Sequence, residues 1–224
     1  MKSIKSKSDL TADSPVVQAL AEGSHGDPFA VLGRHQADGK EIFRCFLPRC
    51  KNVWLEEETR PMQRVPGSDM FEYQCKPGEL PAHYRVLRES DQGVKTEFHD
   101  PYSFWPQLQQ EEMFAFHAGS HRYAQNLLGA RRHTIDEIEG TLFSVWAPNA
   151  RRVSVIGDWN EWDGRCHPMR KHAHQGIWEL FIPGITEGRY KFEIRNEQTG
   201  GLLVTTDPYG RACEYRPGTA SLVT

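Results

Sequence analysis

The sequence predicts a mainly β protein, two related β-sandwich domains of antiparallel strands joined by a short helical linker, and three observations predict it. Short alternating apolar segments are cut every few residues by Pro, Gly or Asp, as half-buried strands are. Landmarks recur in one order: Phe43 and Phe143, Pro48 and Pro148, Val53 and Val153 lie 100 positions apart. Pro61-Met62 and Pro168-Met169, Phe71 and Trp178, Asp100-Pro101-Tyr102 and Asp207-Pro208-Tyr209 lie 107 apart; Tyr84 and Tyr190 lie 106 apart, Leu32-Gly33 and Leu128-Gly129 96. Offsets that drift while the order holds are the mark of a duplicated unit whose loops have changed length. Between Leu108 and Leu128, Met113, Phe114, Phe116, Tyr123, Leu127 and Leu128 change to helical spacings, broken at Gly119.

The 224 residues, 38% hydrophobic and 25% charged, suffice for such a pair of cores. Met1 to Asp9 alternates Lys and Ser with no apolar stretch behind it, so it reads as a disordered tail and as neither signal peptide nor membrane anchor. Ser14 as N-cap, Pro15 at the first helical position and Gly23 at the end frame a short helix that completes residues 1–23. The first β-domain, 24–106, holds strands at Ile42 to Leu47, Asn52 to Glu56, Met70 to Cys75 and His83 to Leu87. A linker, 107–127, leads to the second domain, 128–218, with strands at Leu142 to Trp146, Val153 to Ile156, Trp178 to Ile182, Tyr190 to Ile194 and Leu202 to Thr206. Each domain is about the size of a small sandwich. Phe143, Trp146 and Trp178 alternate with polar neighbours and are expected in the core, Trp54 and Trp105 in the core or at a domain edge. The repeated Asp-Pro-Tyr is expected to form a turn in which an Asp oxygen takes a backbone N–H and the Tyr packs beneath.

The two copies differ at one loop. After the strand ending at Ile156, the second has Gly157-Asp158-Trp159-Asn160-Glu161-Trp162-Asp163-Gly164, where the first has only Glu56-Glu57-Glu58-Thr59-Arg60. Two indoles among Asp and Asn side chains are either a plug for a core edge or an adhesive surface; an exposed indole can stack on the C–H face of a sugar ring while polar neighbours take its hydroxyls.

The runs Gly140-Thr141-Leu142-Phe143-Ser144-Val145-Trp146-Ala147-Pro148-Asn149-Ala150, Val153-Ser154-Val155-Ile156-Gly157-Asp158-Trp159-Asn160, His167-Pro168-Met169, Gly176-Ile177-Trp178-Glu179-Leu180-Phe181-Ile182-Pro183-Gly184, Tyr190-Lys191-Phe192-Glu193-Ile194 and Asp207-Pro208-Tyr209 closely resemble the amino-terminal region of bacterial glycogen branching enzymes. His25-Gly26-Asp27-Pro28-Phe29-Ala30-Val31-Leu32-Gly33 and Leu127-Leu128-Gly129-Ala130 resemble the same family's first domain and linker. The resemblance implies an immunoglobulin-like first domain followed by a family 48 carbohydrate-binding module. It also implies α-glucan contacts by Trp162 and Lys191, to which the loop adds Trp159 and Asn160, and a second Trp platform in a later hairpin. That hairpin here reads Gln198-Thr199-Gly200-Gly201-Leu202-Leu203, without the platform. In the family the reaction, α-1,4 cleavage and α-1,6 re-formation, belongs to a following (β/α)8 barrel of about 250 residues. No catalytic residue is carried over, residues 219–224 read as the connector toward that barrel, and the acidic runs Glu56-Glu57-Glu58 and Glu111-Glu112 read as solvated faces.

Other chemistry is excluded by what the residues do not form. The net charge of -3 gives no pull toward nucleic acid or anionic membrane. Five cysteines without a CxxC pair speak against a disulfide framework or zinc site and for the cytoplasm. His172-Ala173-His174 and His167 have no Cys or carboxylate at metal-ligand spacing, and neither a G-x-S-x-G elbow nor a phosphate-binding loop is present, so no metal or cofactor is expected. Two readings remain: a non-catalytic amino-terminal part of a branching enzyme that holds α-glucan weakly for its barrel, and a free-standing glucan-binding or interaction module.

Overall fold

The computed structural model describes residues 10–224; the expected tail lies outside the described residues. The chain is mainly β and divides into two compact units, one of residues 10–22 and 28–104, the other of residues 23–27 and 105–224.

The first unit opens with α1 (Pro15–Ala21), entered through Ser14 with Pro15 at its first position. Its strands are β1 (Gly33–Ala37), β2 (Lys40–Phe46), β3 (Cys50–Leu55), β4 (Gln63–Arg64), β5 (Met70–Cys75), β6 (Arg85–Ser90) and β7 (Lys95–His99). They form one sheet in the order β1-β2-β5-β4 and another in the order β3-β6-β7, with antiparallel pairing. Successive side chains on a strand point to opposite faces. Phe43 and Cys45 of β2 therefore join Val53, Leu55, Phe71, Tyr84 and Val86 in the core, while Phe46 and Met70 on the other face pack with Val17 and Leu20 of α1.

The second unit carries α2 (Gln110–His117), α3 (Ala124–Leu127), β8 (Gly129–Ile135), β9 (Ile138–Trp146), β10 (Ala150–Gly157), β11 (Arg170–His172), β12 (Ile177–Pro183), β13 (Gly188–Asn196), β14 (Leu202–Thr205), β15 (Ala212–Cys213) and β16 (Ser221–Val223). One sheet runs β8-β9-β12-β11; the other runs β10-β13-β16-β15, with β14 also on β13. Substituting each strand of the first unit by its repeat partner reproduces the first sheet and the β10-β13-β14 part of the second. The pairing register repeats as well: Cys45 faces Phe71 as Val145 faces Trp178, and Val53 faces Arg88 as Val153 faces Ile194. A bulge follows Cys50 and Ala150 alike, and an isolated bridge joins Trp54 to Pro61 and Ser154 to Pro168.

The Asp-Pro-Tyr turns close both units in one way. Asp100 accepts the Tyr102 N–H at 3.0 Å and Asp207 the Tyr209 N–H at 2.8 Å, and the buried hydroxyls of Tyr84 and Tyr190 donate to those carboxylates. Burial pushes Asp100 up to about 6 and raises Asp207 too. Gly33 and Gly129 precede these turns in space at positive φ, where a Cβ would stand 2.6 and 3.0 Å from the carbonyl oxygens of Tyr102 and Tyr209.

Phe143 and Trp178 are fully buried, as expected, but Trp146 is 51% exposed. It is the last residue of β9; its indole N–H donates to the Gln175 carbonyl at 3.2 Å and its ring meets Phe116 of α2 edge-on at 6.0 Å. Three positions from Phe143, it points to the opposite face of β9, as its repeat partner Phe46 does on β2, so alternation cannot set it in the same core as Phe143. Trp105 is 81% exposed. Residues 219–224, expected to be a connector, instead supply β16, which pairs with β13 and β15. No helix among the described residues is long and apolar enough to cross a membrane.

Candidate functional site

The loop with two tryptophans leaves β10 at Gly157, whose Cβ, if present, would lie 2.5 Å from the Arg189 carbonyl and 2.9 Å from the Trp159 ring. Only glycine lets the chain turn here with β13 so close. A single 3-10 turn, Asp158–Asn160, follows, then Glu161 and Trp162 in consecutive left-handed conformations at φ 55 and 60. Two such residues cost free energy unless the surroundings hold them. Asn160 does much of the holding: its Oδ1 accepts the Gly157 N–H at 2.9 Å, its amide donates to the Val155 carbonyl at 2.9 Å and sits 2.8 Å from His167 Nδ1. The Trp162 N–H closes back on the Gly157 carbonyl at 3.2 Å. At the far end, buried Arg152 donates to the Gly164 carbonyl at 2.6 Å and pairs with Glu193.

These contacts divide the four expected site residues into two pairs. Asn160 is 3% exposed, with its amide engaged inside the loop. Trp159 turns inward, its ring 5.7 Å from that of Phe143, with its indole nitrogen buried and unpartnered. Trp162 and Lys191 are half-buried. Asp158, in the same loop, lies close to the Trp162 side chain. Lys191 stands opposite Ile156 on β13, and its Nζ reaches Thr219 Oγ1 at 2.7 Å.

A network joins the two. Arg189, two residues before Lys191 and on the same face of β13, grips Asp158 through its backbone N–H at 2.9 Å and its guanidinium at 2.9 Å, and reaches Glu214 at 3.2 Å. Arg189 holds the Asp158 carboxyl below its usual range; the Ala220 N–H, and then Arg189, do the same for Glu214. Asp158, Arg189, Glu214 and Thr219 were not singled out from sequence. The alternation of Arg189 and Lys191 was a usable signal for the strand pair. Thr219 lay in what read as connector and Glu214 beyond the last expected strand of the second domain, although Pro217-Gly218 marks a turn before Ala220-Ser221-Leu222-Val223.

Chemically, the arrangement offers one half-buried indole and one ammonium on a firm, ion-paired edge. Residues 13–102 match the family model of the alpha-1,4-glucan branching enzyme GlgB N-terminal domain, and residues 127–210 that of carbohydrate-binding module 48, also named the isoamylase N-terminal domain. The chain is 44% identical to the 1,4-alpha-glucan branching enzyme of Methylococcus capsulatus over 97% of its own length and 30% of that protein's. For the same enzyme of Cellvibrio japonicus the figures are 43%, 92% and 29%, and for that of Thiobacillus denitrificans 45%, 95% and 29%. The chain thus spans about 30% of the length of the curated relatives it matches. Among solved structures, pullulanase type I from Bacillus subtilis complexed with maltose is 19% identical over 85% of this chain and 26% of that one, with a TM-score of 0.36.

Proposed function

This chain belongs to the 1,4-alpha-glucan branching enzyme family, matching its amino-terminal region, and from that premise we propose that it is a non-catalytic part whose second unit holds α-glucan weakly for a catalytic barrel. The reading rests on one observation above all: Trp162 stands half-buried on a braced loop, its backbone N–H on the Gly157 carbonyl, at the edge that carries Lys191. A ring fixed before the ligand arrives loses little freedom on stacking. In this reading Trp162 stacks on a glucose ring, Lys191 donates to its hydroxyls, and Trp159 and Asn160 hold the loop. The first unit offers carboxylates at the equivalent loop and takes no glucan there. All five described cysteines are free, which supports a cytoplasmic setting.

A single stacking platform is worth about 1 kcal/mol, so the expected Kd for maltoheptaose is in the millimolar range, and Trp162→Ala weakens it about fivefold. Titration followed by amide shifts tests this. If the Ala variant, still folded, binds as wild type does, the site lies elsewhere; if wild type does not bind, the loop is not a glucan site. The chain alone is expected to leave the iodine absorbance and debranched-chain profile of amylose unchanged.

A further inference from the structure

We infer that Tyr215 is a second aromatic platform of the same glucan site, standing on the β15–β16 hairpin rather than on the hairpin after β13. The inference rests on the proposed reading of the Trp162 edge as an α-glucan surface. Tyr215 is 98% exposed, more than any other large hydrophobic side chain described, so its ring contributes no burial to the fold. Its backbone, in contrast, is pinned. The Gly218 N–H donates to the Tyr215 carbonyl at 2.9 Å, the Glu214 N–H to the Ala220 carbonyl at 2.9 Å, and the Ala220 N–H to Glu214 Oε2 at 2.9 Å.

The hairpin that presents this ring is the one that clasps the rest of the site. Glu214, adjacent to Tyr215, binds Arg189; Arg189 binds Asp158, which lies in the same loop as Trp162; and Thr219, at the other end of the same turn, binds Lys191. Two aromatic side chains are thereby carried on two supports locked to one another by the Asp158-Arg189-Glu214 pairs, with the Lys191 ammonium on the strand between them. An extended α-glucan, with apolar ring faces and hydroxyl rims repeating along its length, matches two aromatic rings and a donor better than it matches one. The β13–β14 hairpin, where the family resemblance implies an aromatic residue, presents Leu202, Leu203 and Val204, which lack a π face.

The test is a maltoheptaose titration of the 224-residue chain and of Tyr215→Ala, Tyr215→Phe and Trp162→Ala, with thermal unfolding as the control for folding. Tyr215→Ala is expected to weaken binding about fivefold with an unchanged Tm, and Tyr215→Phe, which keeps the ring, to stay within about twofold of wild type. Binding lost in Trp162→Ala but intact in Tyr215→Ala would overturn the second platform while leaving the Trp162 site standing. Equal losses in Tyr215→Ala and Tyr215→Phe would assign the effect to the hydroxyl and overturn stacking. No binding by wild type would overturn both this inference and the reading beneath it.

Discussion

The two units share a frame to the level of individual residue pairs, yet at three equivalent positions they solve the same physical problem with different groups. The Phe43 ring is covered by the Arg34 guanidinium, 5.0 Å from its centroid, whereas Phe143, where Ala130 replaces the arginine, is covered by Trp159. The buried carboxylate of Glu72 pairs with buried Arg44 at 2.9 Å; its equivalent, Glu179, faces Ser144 across the ladder and instead takes the backbone N–H groups of Gln107 and Leu108 at 3.1 and 3.0 Å, with His172 3.2 Å away. Arg85, in the place of Lys191, is tied to the Glu56 and Glu97 carboxylates at 3.3 and 3.2 Å, while Lys191 meets the neutral Thr219 hydroxyl. The first unit pairs this cation with carboxylates and the second with a hydroxyl. A fold fixed by its hydrophobic ladder thus leaves the rim free to be acidic and closed in one copy, aromatic and open in the other.

The comparison breaks most severely at the buried ion pair. Arg44→Ala leaves Glu72 charged without its cation and is expected to cost roughly 3–5 kcal/mol, while replacing the pair together, Arg44→Met with Glu72→Leu, restores most of it. Urea denaturation of both variants checks this, and equal losses would mean that the pair is not coupled. Trp159→Ala removes the cover of Phe143 and is expected to cost about 2–3 kcal/mol, the lower part of the range for large-to-small core changes because the ring is only half-buried. Thermal unfolding reads it, and a loss near zero would return Trp159 to the list of ligand-facing residues.

The Asp-Tyr closures test whether the shared frame behaves alike in solution. Asp100 has its folded pKa raised to about 6, above the ordinary carboxyl value of about 3.9. Between those values the unfolded chain gives up the proton while the folded one keeps it. The contribution to stability is therefore complete below about pH 4 and is lost as pH rises through 6. Measured against Asp100→Asn, wild type is expected to lose roughly 2 kcal/mol of relative stability between pH 4 and pH 7. Asp207→Asn is expected to show the same sign, and a flat profile would refute the shift. The smallest effects lie at the rim: Arg85→Ala and Lys191→Ala should each change stability by about 0.5 kcal/mol or less. Lys191→Ala alone should weaken maltoheptaose binding by about threefold, and parity between the two variants would erase the functional difference drawn between the units.

Most of the frame was legible because it rests on signals of short range. Strand alternation and the ordered landmarks gave the central strands and the correspondence between the two units, and the match of Phe71 to Trp178 follows from their offset of 107, whereas strands such as β1, β7, β8 and β11 carried no such signal. The site was legible only in part. Trp162 and Trp159 share a loop, but nothing in Trp-Asn-Glu-Trp tells which indole turns inward; that is set by Ala130 leaving Phe143 uncovered, 29 positions upstream. Arg189 and Glu214 form their link across a hairpin whose strands are two and three residues long, below the length at which alternation declares itself. Trp146 misled for another reason: three positions from Phe143 on one strand, it stands on the opposite face.

The Glu72 and Glu179 carboxylates carry one more consequence, for transplantation. Because one draws its compensation from a neighbouring strand and the other from the segment that enters the unit, the two copies cannot exchange strands singly, however well their backbones overlay. Moving β12 into the place of β5 without residues 105–108 would bring a buried anion that lacks its own donors, and moving β9 into the place of β2 would remove the arginine that Glu72 depends on. A working graft between the copies must carry strand and entry segment as one piece, so Trp105 to Leu108 is part of the second unit's heritable package rather than a spacer that could be rewritten at will.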